Sequence, residues 1–138
     1  MRILALDIGE KRTGIAVSDL SGRVAMPLTV LPTAEVVVNA PAFRRIIEDQ
    51  QPGLLLCGVP ISLSGIEQAQ AERIRLQAET IAECIGLPLA FQDERLSSRE
   101  AKRILRENGH TERSMRGKTD MIAASLFLQT YLDGQKEE

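Results

Sequence analysis

Aromatic residues make up only 3% of this 138-residue chain, and Trp is absent. Nucleic-acid binders that stack bases on an aromatic platform are therefore a poor match. Two cysteines cannot form a disulfide framework. Cys57 lies in an apolar run and Cys84 on an apolar helical stripe, so both read as buried thiols in a reducing cytosol. The single histidine, His110, leaves no Cys/His cluster for zinc, and it reads as an exposed loop residue rather than the base of a Ser-His-Asp triad. Neither a Gly-x-Ser-x-Gly nucleophile turn nor a P-loop pattern occurs. No apolar run approaches the roughly eighteen residues needed to span a bilayer. The apolar stretch at the N-terminus is too short for a secretory signal and contains Asp7. A cytoplasmic protein with no membrane attachment is the expectation. Neither sign of charge dominates: 17 basic and 19 acidic residues give a net charge of -2. A uniformly basic surface is excluded, but a local basic patch is not.

What is present is enough for one domain with a real core, since 43% of residues are hydrophobic and 26% charged. Ile3–Leu6 reads as a strand buried on both faces, Gly14–Asp19 as a second and Val24–Leu31 as a third. Short turns at 7–12 and 21–22 make these an antiparallel meander. The period then changes. Asn39 reads as the cap of a helix with Pro41 in its first turn, stopped by Pro52-Gly53. Leu54–Val59 reads as a fourth strand, followed by a loop over 60–65 and a long helix ended by Gly86 and Pro88. A short fifth strand, 89–91, runs into Gln92-Asp93-Glu94. Ser97-Ser98-Arg99-Glu100 reads as a capping box, and a last helix extends from Asp120 to about Leu132, leaving a polar tail over about 134–138. The order predicts an α/β domain: a mixed five-stranded sheet, with strands 1–3 antiparallel and later strands parallel to the first, and helices on both faces.

In such a sheet ligands gather at the carboxyl ends of the parallel strands. Asp7 follows the first strand and Glu94, with Asp93 beside it, follows the fifth. Asp120 opens the last helix, where Ala123 and Ala124 are small enough to let the helix lie close to the sheet. Three carboxylates would then meet. Like charges that close repel unless a cation lies between them, and oxygen-only ligands suit Mg²⁺ or Mn²⁺. Carboxylate-held ions of this kind serve displacement at phosphorus. Taken one at a time, each acid is better read as a turn, cap or surface-pair residue; it is their joint placement that favours a metal site.

The cations are clustered. Residues 94–118 hold eight basic residues against four acids, while the rest of the chain is acidic. Lys11 and Arg12 sit beside Asp7, Arg95 beside Glu94, and Arg116 and Lys118 just before Asp120. These five are the candidate contacts to a phosphate backbone. Lys102, Arg103 and Arg106 read better as a solvated helix face laced with Glu–Arg pairs.

Four segments in order resemble one known family: Leu6–Asp19 (LDIGEKRTGIAVSD), Gly58-Val59-Pro60 with Ser64-Gly65, Asp93–Ser98 (DERLSS), and Lys118-Thr119-Asp120 followed by Ala123-Ala124 and Leu128-Gln129. The chain resembles the YqgF family, also called RuvX: pre-16S rRNA nucleases or Holliday junction resolvase-like proteins with a ribonuclease H-like fold. The resemblance implies that Asp7, Glu94 and Asp120 form a metal-binding catalytic triad of acids, with Mg²⁺ or Mn²⁺ as cofactor. It also implies that Arg12 and the loop around Arg116 and Lys118 touch nucleic acid. The implied activity is metal-dependent endonucleolytic cleavage, with precursor 16S rRNA or branched DNA as partner, by a monomer or homodimer. A catalytically silent ribosome-assembly factor would carry the same residues. So would the phosphate-binding turn of the actin and sugar-kinase ATPases at Asp7-Ile8-Gly9, but those need two such domains and this chain has room for one. Two departures stand out: Thr13 where an aliphatic residue is usual, and Ile61–Ser64 where an Asn is often present.

Overall fold

A computed structural model describes residues 1–60, 65–95, 97–115 and 117–136. Five strands, β1 (Ile3–Ile8), β2 (Arg12–Ser18), β3 (Ala25–Pro32), β4 (Leu54–Val59) and β5 (Leu89–Asp93), form one sheet in the order β3-β2-β1-β4-β5. β1, β2 and β3 are antiparallel neighbours; β4 and β5 run parallel to β1. This is the expected mixed sheet, with its meander at one side and its crossovers at the other.

Helices α1 (Thr33–Val37), α2 (Pro41–Gln50) and α3 (Gly65–Ile85) cover one face; α6 (Thr119–Lys136) covers the other. α4 (Ser97–Glu107) packs on α6, and α5 (Glu112–Met115) is a single turn between them. Strand alternation divides the sheet's side chains between two cores. Leu4, Leu6, Ile8, Ile15, Val17, Leu55, Cys57 and Val59 face Val36, Phe43, Ile74 and Ile81. Ile3, Ala5, Ala16, Leu54 and Leu56 face Ala124, Phe127, Leu128 and Leu132.

Several local expectations are corrected. Asn39 does not cap α2: it sits in the left-handed region at φ 55°, its amide bonded to the Val36 carbonyl, and so closes α1, a helix that sequence period did not reveal. Ala40 precedes Pro41 at the start of α2 instead, without a side-chain cap. Glu100 does not reach back across a capping box; its carboxylate pairs forward with Arg103, and the Ser97 amide bonds the Glu94 carbonyl. Cys84 is exposed, while Cys57 is buried as expected. Residues 134–136 are the last turn of α6, not part of a polar tail. The departure over Ile61–Ser64 lies outside the described residues. No described helix is long and apolar enough to cross a membrane.

Candidate active site

Register places the acids. On β1, residues 3, 5 and 7 share the α6 face, so Asp7 continues the line of Ile3 and Ala5 past the end of the core. It is the only residue of β1 that keeps partial access to solvent. On β5 the same alternation puts Ala90, Gln92 and then Glu94 on that face, and the Glu94 amide extends the parallel ladder by bonding the Val59 carbonyl at 3.0 Å. Asp93 therefore points the other way. Its carboxylate accepts from the Arg95 amide at 2.9 Å and from Arg95 Nε at 2.8 Å. Sequence alone left open which of the two acids turns inward; strand parity assigns it to Glu94.

Two glycines set the closeness of the third element. Gly14 pairs with Asp7 across β1 and β2, and a Cβ there would stand 2.1 Å from the backbone carbonyl of Asp120. The first turn of α6 thus rests directly on the β2 backbone, with Ala123 and Ala124 fully buried beneath it. Gly58, at the end of β4, would bring a Cβ to 2.6 Å from the Phe127 ring and 3.0 Å from the Cβ of Glu94. Sequence reading credited Ala123 and Ala124 with this close approach and missed the glycines opposite them. A glycine inside an otherwise apolar strand is the signal that could have shown them.

The electrostatics follow from this crowding. Burial, then the neighbouring Glu94, then Asp120 push the Asp7 carboxyl well above the usual carboxylate range; its side chain hydrogen-bonds that of Glu94. Burial also raises Glu94, helped by the charges of Asp93 and Asp120 and opposed by its hydrogen bond with Asp7. Two carboxyls in contact share a proton or need a cation. Asp120 is engaged differently, by Arg12 Nε at 3.3 Å. Among the described residues, no three His, Cys, Asp or Glu side chains are placed to hold one ion together.

The candidate backbone contacts separate into groups. Lys11 and Arg12 are exposed on the β1–β2 turn, which is fixed by the Gly9 amide on the Arg12 carbonyl at 2.9 Å and the Thr33 amide on the Lys11 carbonyl at 2.9 Å. Lys118 is exposed two residues before Asp120 and makes no ion pair among the described residues. Arg95 is exposed but held by Asp93. Arg116 lies outside the described residues. On α4, Arg103 is clasped between Glu100 and Glu107, as its solvated-face reading expects. His110 is half-exposed; its Nδ1 lies 3.2 Å from Ser114 Oγ, which also accepts from the Thr111 amide, so it belongs to a local turn.

Comparison with known proteins agrees with this fold. The family model described as "RuvX: Holliday junction resolvase" matches residues 1–134. A protein of Thermoanaerobacter pseudethanolicus named "Putative pre-16S rRNA nuclease" is 35% identical over 139 residues, covering 100% of both chains. A protein of Anaeromyxobacter sp. with the same name is 37% identical over 135 residues, 98% of each chain. Among solved structures, T. thermophilus RuvC in complex with a Holliday junction substrate superposes with a TM-score of 0.59 at 10% identity, covering 99% of this chain and 96% of that one. A fowlpox virus resolvase with its junction DNA gives 0.52 at 10% identity, covering 98% and 99%. These likenesses show a common ribonuclease H-like fold. With the family model spanning nearly the whole chain and full-length relatives above 30% identity, this protein belongs to the RuvX family.

Proposed function

We propose that this protein is a divalent-metal-dependent endonuclease, acting in the cytoplasm on the 5′ region of precursor 16S rRNA during ribosome biogenesis. The observation that carries the reading is the contact between Asp7 and Glu94 at the carboxyl edge of the parallel strands, with Asp120 pressed against the same edge through Gly14. The donor set fits a hard cation: every available ligand atom is a carboxylate oxygen, and two of the carboxyls repel unless a proton or a positive ion joins them. Asp7 and Glu94, with Asp120 beside them, are the residues that would hold Mg²⁺ or Mn²⁺. When bound, such an ion supplies an activated water and stabilises the charge that develops at phosphorus. The protein's own part is positioning. Lys11, Arg12, Arg95, Arg116 and Lys118 are the residues proposed to hold the phosphate backbone, without reading sequence. Arg12, already beside Asp120, is suited to place a phosphate next to the acids. The names of the full-length relatives support RNA as the substrate.

The family description supports a second reading, resolution of branched DNA junctions. A resolvase cuts two symmetry-related strands and so works as a dimer, whereas trimming an RNA end does not require one. One experiment separates the readings. Wild type and Asp7→Asn are offered end-labelled precursor 16S leader RNA and a four-way DNA junction, with Mg²⁺, with Mn²⁺ and with chelator. The expected result is metal-dependent cleavage of the RNA, reduced at least ~10³-fold by Asp7→Asn. Cleavage of the junction alone, by a dimer, would move the assignment to the second reading. Retention of tight metal and RNA binding with no cleavage of either substrate would favour a catalytically silent assembly factor.

A further inference from the structure

Beside the acids, rather than over them, lies an open groove of about 590 Å³ between the start of α4 and the second half of α6. Its two walls differ in chemistry. The α4 wall presents Arg95, Ser97, Arg99 and Glu100, whose carboxylate is held by Arg103. Arg99 is exposed and makes no ion pair among the described residues. The α6 wall presents Thr130 and Asp133 above a Leu126 floor. The Thr130 hydroxyl donates its only proton to the Leu126 carbonyl at 3.2 Å, so toward the groove its oxygen can only accept. Asp133 is an acceptor as well. Gln129, which also lines the groove, has both ends engaged: its Oε1 accepts from the Ala25 amide, and its Nε2 donates to the Arg23 carbonyl and to Asp133. With Glu100 taken by Arg103 and Arg95 by Asp93, the first wall leaves Arg99 as its unpaired ion among the described residues, while the second wall offers acceptors. Among the described residues no aromatic side chain lines the groove, which leaves them no platform for stacking a base.

A ligand that fits must carry an anion and, on its opposite side, hydrogen-bond donors. A DNA strand offers the phosphate without a sugar donor. An RNA strand offers the phosphate and the ribose 2′-hydroxyl, the group by which proteins tell RNA from DNA. We propose that this groove is a ribonucleotide subsite for the strand flanking the cleavage point, with Arg95 and Arg99 holding its phosphate and Thr130 and Asp133 accepting from its 2′-hydroxyl. The groove begins at Arg95, next to Glu94. It reaches Thr130, ten residues past Asp120 and so about 15 Å along the helix axis. Phe127, one turn before Thr130, packs with Glu94 against Gly58, so the groove lies next to the Asp7–Glu94 pair and farther from Asp120. The inference rests on the nucleic-acid reading of the neighbouring acids, and it names RNA as the class this chain selects.

The test uses binding, in the Asp7→Asn background so that no strand is cut. The affinity for one single strand is measured by fluorescence anisotropy in its ribo and deoxy forms across a salt series. The strand extends at least six nucleotides on each side of the cleavage point. The expected result is a preference for RNA of roughly tenfold, the scale of one lost charge-assisted hydrogen bond. Asp133→Asn and Thr130→Val should each shrink that preference several-fold. Arg99→Ala should weaken both strands alike and flatten the salt dependence by about 0.7 in log–log slope, one phosphate contact on a single strand. Lys102→Ala, on the same helix but outside the groove, should change neither. An RNA preference untouched by Asp133→Asn and Thr130→Val, or a slope untouched by Arg99→Ala, overturns the subsite while leaving the nuclease reading in place. Failure of the protein to bind either strand overturns both. Thermal unfolding of each variant identifies any loss that comes from misfolding.

Discussion

The two faces of the sheet are built from the same strands and to opposite plans. Toward α1–α3 the central strands show Leu4, Leu6, Ile8, Ile15, Val17, Leu55 and Val59, large branched residues that fill a thick layer around Phe43, Ile74 and Ile81. Toward α6, beside Ile3, Leu54 and Leu56, they show Ala5, Gly14, Ala16, Ser18 and Gly58, small residues that let a helix lie against the backbone. Filling volume gives a thick layer its stability; close approach gives a thin layer its geometry. All three candidate acids belong to the thin side. Asp7 and Glu94 continue its rows beyond the core, and Asp120 starts its helix. The first face holds the sheet together, and the second carries the site.

The strongest way to break this division is to thicken the thin face. Gly14→Ala places a methyl where the Asp120 backbone now stands, 2.1 Å away, and neither partner is a flexible side chain that could give way. The first turn of α6 must lift. A shift of about 1 Å at a catalytic group costs on the order of 10²-fold in rate, and overpacking adds roughly 1–3 kcal/mol of destabilisation. Cleavage should fall at least 100-fold per folded molecule. A folded Gly14→Ala protein with wild-type cleavage would show that Asp120 does not need its position.

The matching change on the thick face is Phe43→Ala. Phe43 is fully buried in α2, away from every candidate site residue. Its truncation should cost about 3–5 kcal/mol of stability in urea unfolding. The protein that stays folded should keep its cleavage rate. A rate that falls along with stability would mean that the two faces are coupled.

A smaller effect, of opposite sign, sharpens the comparison. Asp7 titrates above its ordinary range because burial and Glu94 disfavour its charge. The native protein without metal then holds more protons than the unfolded chain above about pH 4, so its stability declines as pH rises through the native titration of the Asp7–Glu94 pair. Asp7→Asn removes that penalty and leaves an amide that can donate to Glu94. In chelator, the variant should match wild type near pH 4 and exceed it at pH 8, by about 1–3 kcal/mol. An equal difference at both pH values would mean that the carboxyl ionises there without strain.

Much of this was legible in the sequence, for identifiable reasons. The strands of the thick face announce themselves as apolar runs, and the switch from period 2 to helical period marks where the meander ends. The three acids are legible because each stands at the end of an element. Less legible was whatever depends on two distant elements at once. Gly14 looks like an ordinary strand glycine until α6 is laid upon it. Asp93 and Glu94 cannot be told apart without the parity of β5. Cys84 lies on a stripe with Ile81 and Ile85, yet α3 turns it to solvent because the sheet covers only part of that helix. α1 is too short to show a period, and Asn39, a good cap by residue type, instead adopts the left-handed turn that ends it. The groove was invisible for the same reason: Arg99 and Thr130 are separated by thirty residues and meet only when α4 packs on α6.

The mildest expected effect tests a polar contact buried in the thick face. Thr13 shares the face of Ile15 and Val17, and its hydroxyl lies 2.8 Å from that of Thr33 at the start of α1. Thr33 donates its single proton to the Gly9 carbonyl at 2.7 Å, so Thr13 must be the donor to Thr33. The consequences of removing each hydroxyl are then unequal. Thr13→Val, which restores the aliphatic residue usual in the family, removes one neutral bond and leaves only a hydroxyl lone pair unfilled, a cost of about 1 kcal/mol or less. Thr33→Val strands a buried donor on Thr13 and the Gly9 carbonyl together, roughly 2–3 kcal/mol. Gly9 opens the turn that carries Lys11 and Arg12, so the pair of variants also asks whether the scaffold face reaches the site. If Thr13→Val keeps full cleavage while Thr33→Val weakens RNA binding and stability together, the Gly9 bond is the point where the thick face steadies the thin one. If both variants lose only stability, the turn is held from its own side by the Gly9 amide on the Arg12 carbonyl.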